Sequence, residues 1–241
     1  MSRKKRDNEI EIIGENIEES GFSLIADFQE GGFKYEENEF TDMRIPVLPL
    51  RNMVLFPEKI NGKYVRLERP MPVYSRGGDV FDIWLSESPD LVYWGKSRLV
   101  MGVEDVPFAN DKIGPGAAPL KTDKGWLMIF HAVDRDLSRG KNGWEAKWTK
   151  RYTIGIALLD LEDPSKVIGM SKKPLMVPEG YWELEEGYRT NALFPCGMLL
   201  EDDNTVRIYY SAGDAIVRMA TAKLDDLLAL CTEPRQYDTE K

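Results

Sequence analysis

Four basic residues recur at matching places along the chain. Arg69 and His131 each stand twelve positions after a proline, Pro57 and Pro119, while Arg51 and Lys112 stand six and seven positions before the same prolines. If the segments around these prolines are equivalent units, the four side chains come from equivalent ends of neighbouring strands and can share one pocket. Guanidinium groups grip oxyanions through paired hydrogen bonds and ammonium groups through point charge. Such a set could hold a small anion and aim one of its oxygens. Each residue also has a plainer reading. Arg51, Arg69 and Lys112 are ordinary exposed charges, and His131 is a buried ring packed beside Leu127 and Ile129. Arg189 stands six positions before Pro195 and joins the set through the repeat alone.

Other candidates are fewer. Asp214 follows Gly213 at the end of a strand and Asp82 opens one, so either could accept hydrogen bonds from a ligand's hydroxyls or simply serve a turn. Trp144 and Trp148 sit in a polar loop, where indoles stack on sugar faces or pin the loop down. His131 is the single histidine, and Cys196 and Cys231 have no metal-ligand spacing. No metal site and no cofactor are therefore expected, and both thiols are expected to be buried in a reducing compartment. With 41 acidic and 32 basic residues the net charge is −9, which gives no general electrostatic reason to hold nucleic acid. The basic run at Arg3 to Arg6 is not followed by an apolar stretch, and no window is long and apolar enough for a membrane span. A cytoplasmic chain with a small ligand is expected, and a homo-oligomer is left open.

The elements that must position these residues repeat. Val54-Leu55-Phe56-Pro57, a turn at Asn61-Gly62 and the alternating run Lys63 to Arg69 form one hairpin. Ala117-Ala118-Pro119, a turn at Asp123 to Gly125 and Trp126 to His131 form a second. Ala192 to Pro195, a turn at Glu201 to Asn204 and Val206 to Ser211 form a third. Further strands follow each: Asp82 to Ser86 with Leu99 to Met101, Tyr152 to Leu159 with Lys166 to Ile168, and Ala215 to Ala222. Repeated units of four short strands predict an all-β chain of propeller type, with an unrelated β-sandwich as the alternative. Phe22 to Tyr35 reads as the second half of a further unit. The predicted organisation is a polar segment 1–21, a propeller domain 22–231 with three complete blades and part of a fourth, and a polar tail 232–241. Leu224 to Leu230 reads as a short helix.

Several stretches carry a resemblance to a known family. They are Asn52 to Val65, Asp82 to Asp90, Lys112 to Gly116, Ala157 to Val167, Phe194 to Gly197 and Tyr209 to Asp214. The sequence resembles glycoside hydrolase family 130 from about Asn52 to Leu230. The resemblance implies a five-bladed propeller acting on β-mannosides. It further implies an inverting phosphorylase that uses inorganic phosphate as co-substrate and releases mannose 1-phosphate, with hydrolases also known in the family. It places Arg51, Arg69, Lys112 and His131 at phosphate-binding positions and Asp214 at a substrate-binding position, with Asp82 a weaker candidate for the funnel. The family's general acid lies in an Asp-Pro-Arg motif, which does not occur among these 241 residues. Asp7 precedes Arg51 at about the expected distance, but its neighbours do not match. A catalytically impaired remnant that binds sugar or phosphate is the reading this departure implies.

Overall fold

In the computed structural model of the chain, residues 50–71, 80–139 and 149–231 are described. All of them lie in the compact unit Val47–Lys241. The expected features at Phe22 to Tyr35, segment 1–21, Asp7, Trp144, Trp148 and tail 232–241 fall outside these residues.

Twelve strands form three antiparallel sheets among the described residues. The first sheet holds β1 (Leu50–Leu55), β2 (Tyr64–Pro70), β3 (Ile83–Ser88) and β4 (Gly95–Met101) in sequence order. The second holds β5 (Lys112–Pro115), β7 (Trp126–Arg135), β8 (Lys150–Leu159) and β9 (Val167–Met170), with β6 (Leu120–Lys121) also paired to β7. The third holds β10 (Leu193–Leu200), β11 (Thr205–Ala212) and β12 (Ile216–Lys223). Two short α-helices, α1 (Tyr181–Leu184) and α2 (Leu224–Cys231), follow β9 and β12.

The turns are where residue type demands them. Asn61 and Gly62 both have positive φ, 51° and 77°, the geometry of a two-residue hairpin turn whose twist matches its strands. Asn204 closes the third hairpin with φ 62°. One expectation needs correction. The strand expected at Ala117 to Pro119 is interrupted there, and β5 and β6 pair with β7 on either side of the break. At the start of the break, a Cβ on Gly116 would fall 2.1 Å from Pro195 Cγ, so the backbone here lies close against the third sheet. Among the described residues the third sheet has three strands, and the chain passes from β12 directly into α2.

Alternation along β7 gives the second sheet two apolar faces. Trp126, Met128, Phe130 and Ala132 pack with Leu67, Ile83, Leu85 and Met101 of the first sheet. Leu127 and Ile129 pack with Ile154, Ile156 and Leu158 of β8, with Leu193, Met198, Val206 and Ile208 of the third sheet, and with Leu227, Leu228 and Cys231 of α2. The second sheet is thus the middle of three layers, buried on both sides. Backbone links join successive sheets in the same way. Phe81 bridges Lys112 in parallel, and Tyr152 bridges Ala192 in parallel. In each case the opening of a sheet's third strand meets the opening of the next sheet's first. Among the described residues no helix is long and apolar enough to cross a membrane. Cys231 is buried as expected; Cys196, in the bulge of β10 between Pro195 and Gly197, is exposed and corrects that expectation.

Candidate functional site

The end of β2 is buried although it carries two charges. Glu68 and Arg69 point to opposite faces, as neighbours in a strand must. On its own face Glu68 receives Arg66 Nε at 2.6 Å and Ser86 Oγ at 3.1 Å, so its charge is already matched. Arg69 lies on the other face without a carboxylate in salt-bridge contact among the described residues. Arg51 stands directly across from it in the β1–β2 register. Just beyond, Asn52 takes φ 56° and two β1 residues face one β2 residue, a bulge that re-aims the strand end.

Arg69 reaches across to the second sheet, where its Nη1 lies 2.9 Å from His131 Nε2. A guanidinium only donates, so Nε2 accepts and the neutral ring carries its proton on Nδ1. The ring is fully buried and stacks on Phe194 of β10 at 4.7 Å, with Tyr152 at 6.3 Å. Burial first, then the charges of Arg69 and Lys112, hold His131 well below its ordinary value, consistent with that neutral ring. Gly114 makes the meeting sterically feasible. A Cβ there would lie 2.4 Å from His131 Cε1 and 3.1 Å from Arg69 Cδ.

Lys112 opens β5 on the same face. Its ammonium lies 5.4 Å from the Tyr152 ring centroid and 5.8 Å from that of Phe81, and Arg69 lies 5.4 Å from Phe81. Phe81 therefore flanks two cations. Burial, reinforced by Lys150 and partly offset by Asp111, brings Lys112 down to about 8. Burial brings Arg69 down to about 10, opposed by Tyr152 and reinforced by Arg51. The Tyr152 phenol is pushed up to about 12 by burial, so it stays protonated at neutral pH. Arg69 Nε and His131 Nδ1 are buried with no hydrogen-bond partner among the described residues. Desolvated cations in excess of carboxylates, with donors to spare, suit a compact anion that only accepts hydrogen bonds. No group of three His, Cys, Asp or Glu suited to a metal occurs among the described residues.

The structure thus gathers Arg51, Arg69, Lys112 and His131. Equivalence by spacing is approximate: Arg51 pairs with Arg69, whereas Lys112 pairs with Val133, two places from His131. Asp214, with φ 51°, stands at the opening of β12 with Arg189 Nε 3.8 Å away. Both influence the ionisation of Tyr152, so this pair, from the segment before β10 and the β11–β12 turn, lies near the cluster. Asp82 is fully buried, and its Oδ1 accepts from the Val103 N–H at 3.0 Å. Sequence reasoning missed Phe81, Tyr152, Phe194, Asp111 and Lys150. Phe81 and Tyr152 occupy corresponding bridge positions in the repeat, a signal that could have found them. A cleft of about 220 Å³ lined by Phe108, Asn110, Asp134, Arg151 and Thr153 is lined by none of the four clustered residues.

A family profile described as beta-1,4-mannooligosaccharide phosphorylase matches residues 28–233. The chain belongs to glycoside hydrolase family 130. Among family 130 relatives it is similar to a 1,2-beta-oligomannan phosphorylase from Thermoanaerobacter sp. (strain X514). That relative is 37% identical over 179 residues, which are 74% of this chain and 52% of the relative. A beta-1,4-mannooligosaccharide phosphorylase from Ruminococcus albus is 37% identical over 180 residues, 74% of this chain and 49% of its own. Among solved structures, a beta-1,2-mannobiose phosphorylase from Listeria innocua in complex with beta-1,2-mannobiose aligns with a TM-score of 0.64. It is 32% identical and covers 76% of this chain and 46% of that one. The family 130 chain spans about half the length of the curated relatives it matches.

Proposed function

We propose that this chain forms the phosphate-binding side of an inverting β-mannoside phosphorylase built as a β-propeller. In that reaction a phosphate oxygen attacks the anomeric carbon of the mannosyl unit. The bond to the departing sugar breaks, a general acid protonates the leaving oxygen, and mannose 1-phosphate is released. The observation that carries this reading is the largely buried Arg69–His131–Lys112 cluster, in which cations outnumber carboxylates among the described residues. Phosphate is already a competent nucleophile. It needs a cationic cradle that repays its desolvation and aims one oxygen.

Arg69 and Lys112 supply charge, neutral His131 supplies a donor, and Arg51 sits at the exposed side. Asp214, oriented by Arg189, accepts hydrogen bonds from sugar hydroxyls. Asp82 is assigned a supporting role beneath Phe81, because its carboxylate is engaged with the Val103 N–H. An inverting hydrolase would need a second carboxylate to activate water. Among the described residues the carboxylate at this cluster, Asp111, is engaged by Lys112 and Lys150, which favours phosphorolysis. The repeated parallel bridges between sheets support blades set around an axis. Release of a charged sugar phosphate suits a compartment that retains it, the cytoplasm.

Calorimetric titration of the folded chain with inorganic phosphate tests the proposal. Arg69→Ala is expected to weaken binding by about 1.5–3 kcal/mol, the worth of a charge-assisted hydrogen bond. Unchanged affinity in both Arg69→Ala and Lys112→Ala removes the site. The same titration has a pH signature. Lys112 is an ammonium below about 8 and neutral above it, so phosphate affinity should fall as pH rises through that value. Lys112→Met should flatten this fall. A profile unaffected by the substitution would show that Lys112 does not face the anion.

A further inference from the structure

Beside the four basic residues lies a pair that the repeat did not mark. Asp111 immediately precedes β5, and Lys150 opens β8. Asp111 Oδ2 lies 2.9 Å from Lys150 Nζ and 3.9 Å from Lys112 Nζ, so one carboxylate oxygen serves two ammonium groups. All three side chains are largely covered, at 13% exposure for Asp111, 17% for Lys112 and 25% for Lys150.

Strand register fixes where the pair points. Lys112 is opposite Val133, which is opposite Tyr152. His131 is opposite Gly114 on one side and Ile154 on the other. Partners in register share a face, so Lys112, His131, Tyr152 and Lys150 all project from one side of the second sheet. Lys150 is one place further toward the strand end than Tyr152 on that face. Arg69 comes onto the same face from the first sheet, with Arg51 beside it.

We propose that Lys150 is a further phosphate-binding residue and that Asp111 is its positioning residue, holding the ammonium groups of Lys150 and Lys112 side by side next to His131. This rests on the reading of the cluster as a phosphate cradle. Two neighbouring ammonium groups repel, and burial makes the repulsion costly. A shared carboxylate offsets it on one side and leaves the remaining N–H donors for an oxyanion on the other. Among the described residues the groups facing Lys112 are Asp111, Lys150, Tyr152, His131 and Arg69. Asp111 is the carboxylate among them, and its presence favours the charged form of Lys112. Among the described residues Arg51, Arg69, Lys112 and Lys150 outnumber the carboxylate Asp111, a positive surplus that suits a phosphate anion.

The test is calorimetric titration of the full 241-residue chain with inorganic phosphate, with thermal melts to establish folding. Lys150→Met is expected to weaken binding about tenfold or more, and Lys150→Arg to stay within about threefold of the unaltered chain. Asp111→Asn is the sharper variant because two ideas predict opposite signs. By long-range attraction alone, removing a negative charge tightens phosphate binding. By positioning, binding at pH 8 weakens several-fold, and the pH at which affinity falls moves down as Lys112 loses its counter-charge. Tighter binding by Asp111→Asn at pH 8, or unchanged binding by Lys150→Met, overturns the proposal. Arg69→Ala separates the two levels. If it weakens binding while Lys150→Met does not, the cradle stands and Lys150 is only a counter-ion. If neither substitution matters, the cradle reading fails as well. Should Asp111→Asn fail to fold, the Lys150 pair decides alone.

Discussion

Joining a family-like segment that bears Asp-Pro-Arg to this chain should raise phosphorolysis of β-mannobiose by about 10²–10⁴-fold, the usual contribution of a general acid. The expectation follows from a division of labour. Phosphate needs no base to become a nucleophile, but the sugar oxygen it displaces leaves poorly unless it is protonated. The cluster around Arg69 contains cations, a neutral imidazole, a phenol pushed up to about 12 and a carboxylate, Asp111, held by Lys112 and Lys150; the ammonium groups and the carboxylate serve the anion's charge rather than the leaving oxygen. The family resemblance puts the acid in Asp-Pro-Arg, a motif absent from these 241 residues. The measurement is mannose 1-phosphate formed per unit time, with and without the added segment and with its aspartate changed to asparagine. Robust phosphate-dependent turnover by the 241-residue polypeptide would sink the idea. An alanine scan of the aspartates before Arg51, beginning with Asp7, would then locate the acid.

Trp126→Ala should cost about 3–5 kcal/mol of folding stability, the range for removing a fully buried large aromatic. Trp126 is 1% exposed and lies where the first and second sheets meet. Its ring meets Phe56 edge-on at 5.0 Å, and its Nε1 donates to the Leu161 carbonyl at 3.1 Å. Removing it opens a cavity and strands that carbonyl. The two sheets it joins also bring Arg69 to His131, so phosphate affinity should drop before the fold is lost. Denaturant unfolding gives the stability change, and phosphate titration well below the transition gives the second effect. Trp126→Phe should recover most of the packing but not the hydrogen bond. A cost under about 1 kcal/mol for the alanine variant would show that the interface does not depend on this ring.

Parts of this were legible in the sequence. The hairpin at Asn61-Gly62 could be read because few other pairs tolerate two successive positive φ angles. Arg69 and His131 were found by spacing because both lie on the second strand of their units, and spacing survives where strands are equivalent. The same method misplaced the strand before Trp126, where pairing with β7 stops after Pro115 and resumes at Leu120 and Gly116 lies against Pro195 of another sheet. It could not foresee that Asp82 would turn to the Val103 N–H, that Cys196 would face outward from a bulge, or that Asp111 would sit between two lysines. Those outcomes depend on what arrives from a neighbouring strand or loop. Periodicity along one segment contains no record of it.

Gly114 has a consequence at the level of inheritance. Every single-base change that converts a glycine codon into a codon for another amino acid adds at least a Cβ. At this position that atom would fall 2.4 Å from His131 Cε1 and 2.8 Å from His131 Nε2. No one-step substitution is therefore a mild one. The approach of Arg69 to His131 has no graded series of weaker variants at Gly114. Change in this cluster must enter instead through side chains that can be shortened, such as Lys112 or Arg51, where affinity can be tuned without prising the sheets apart.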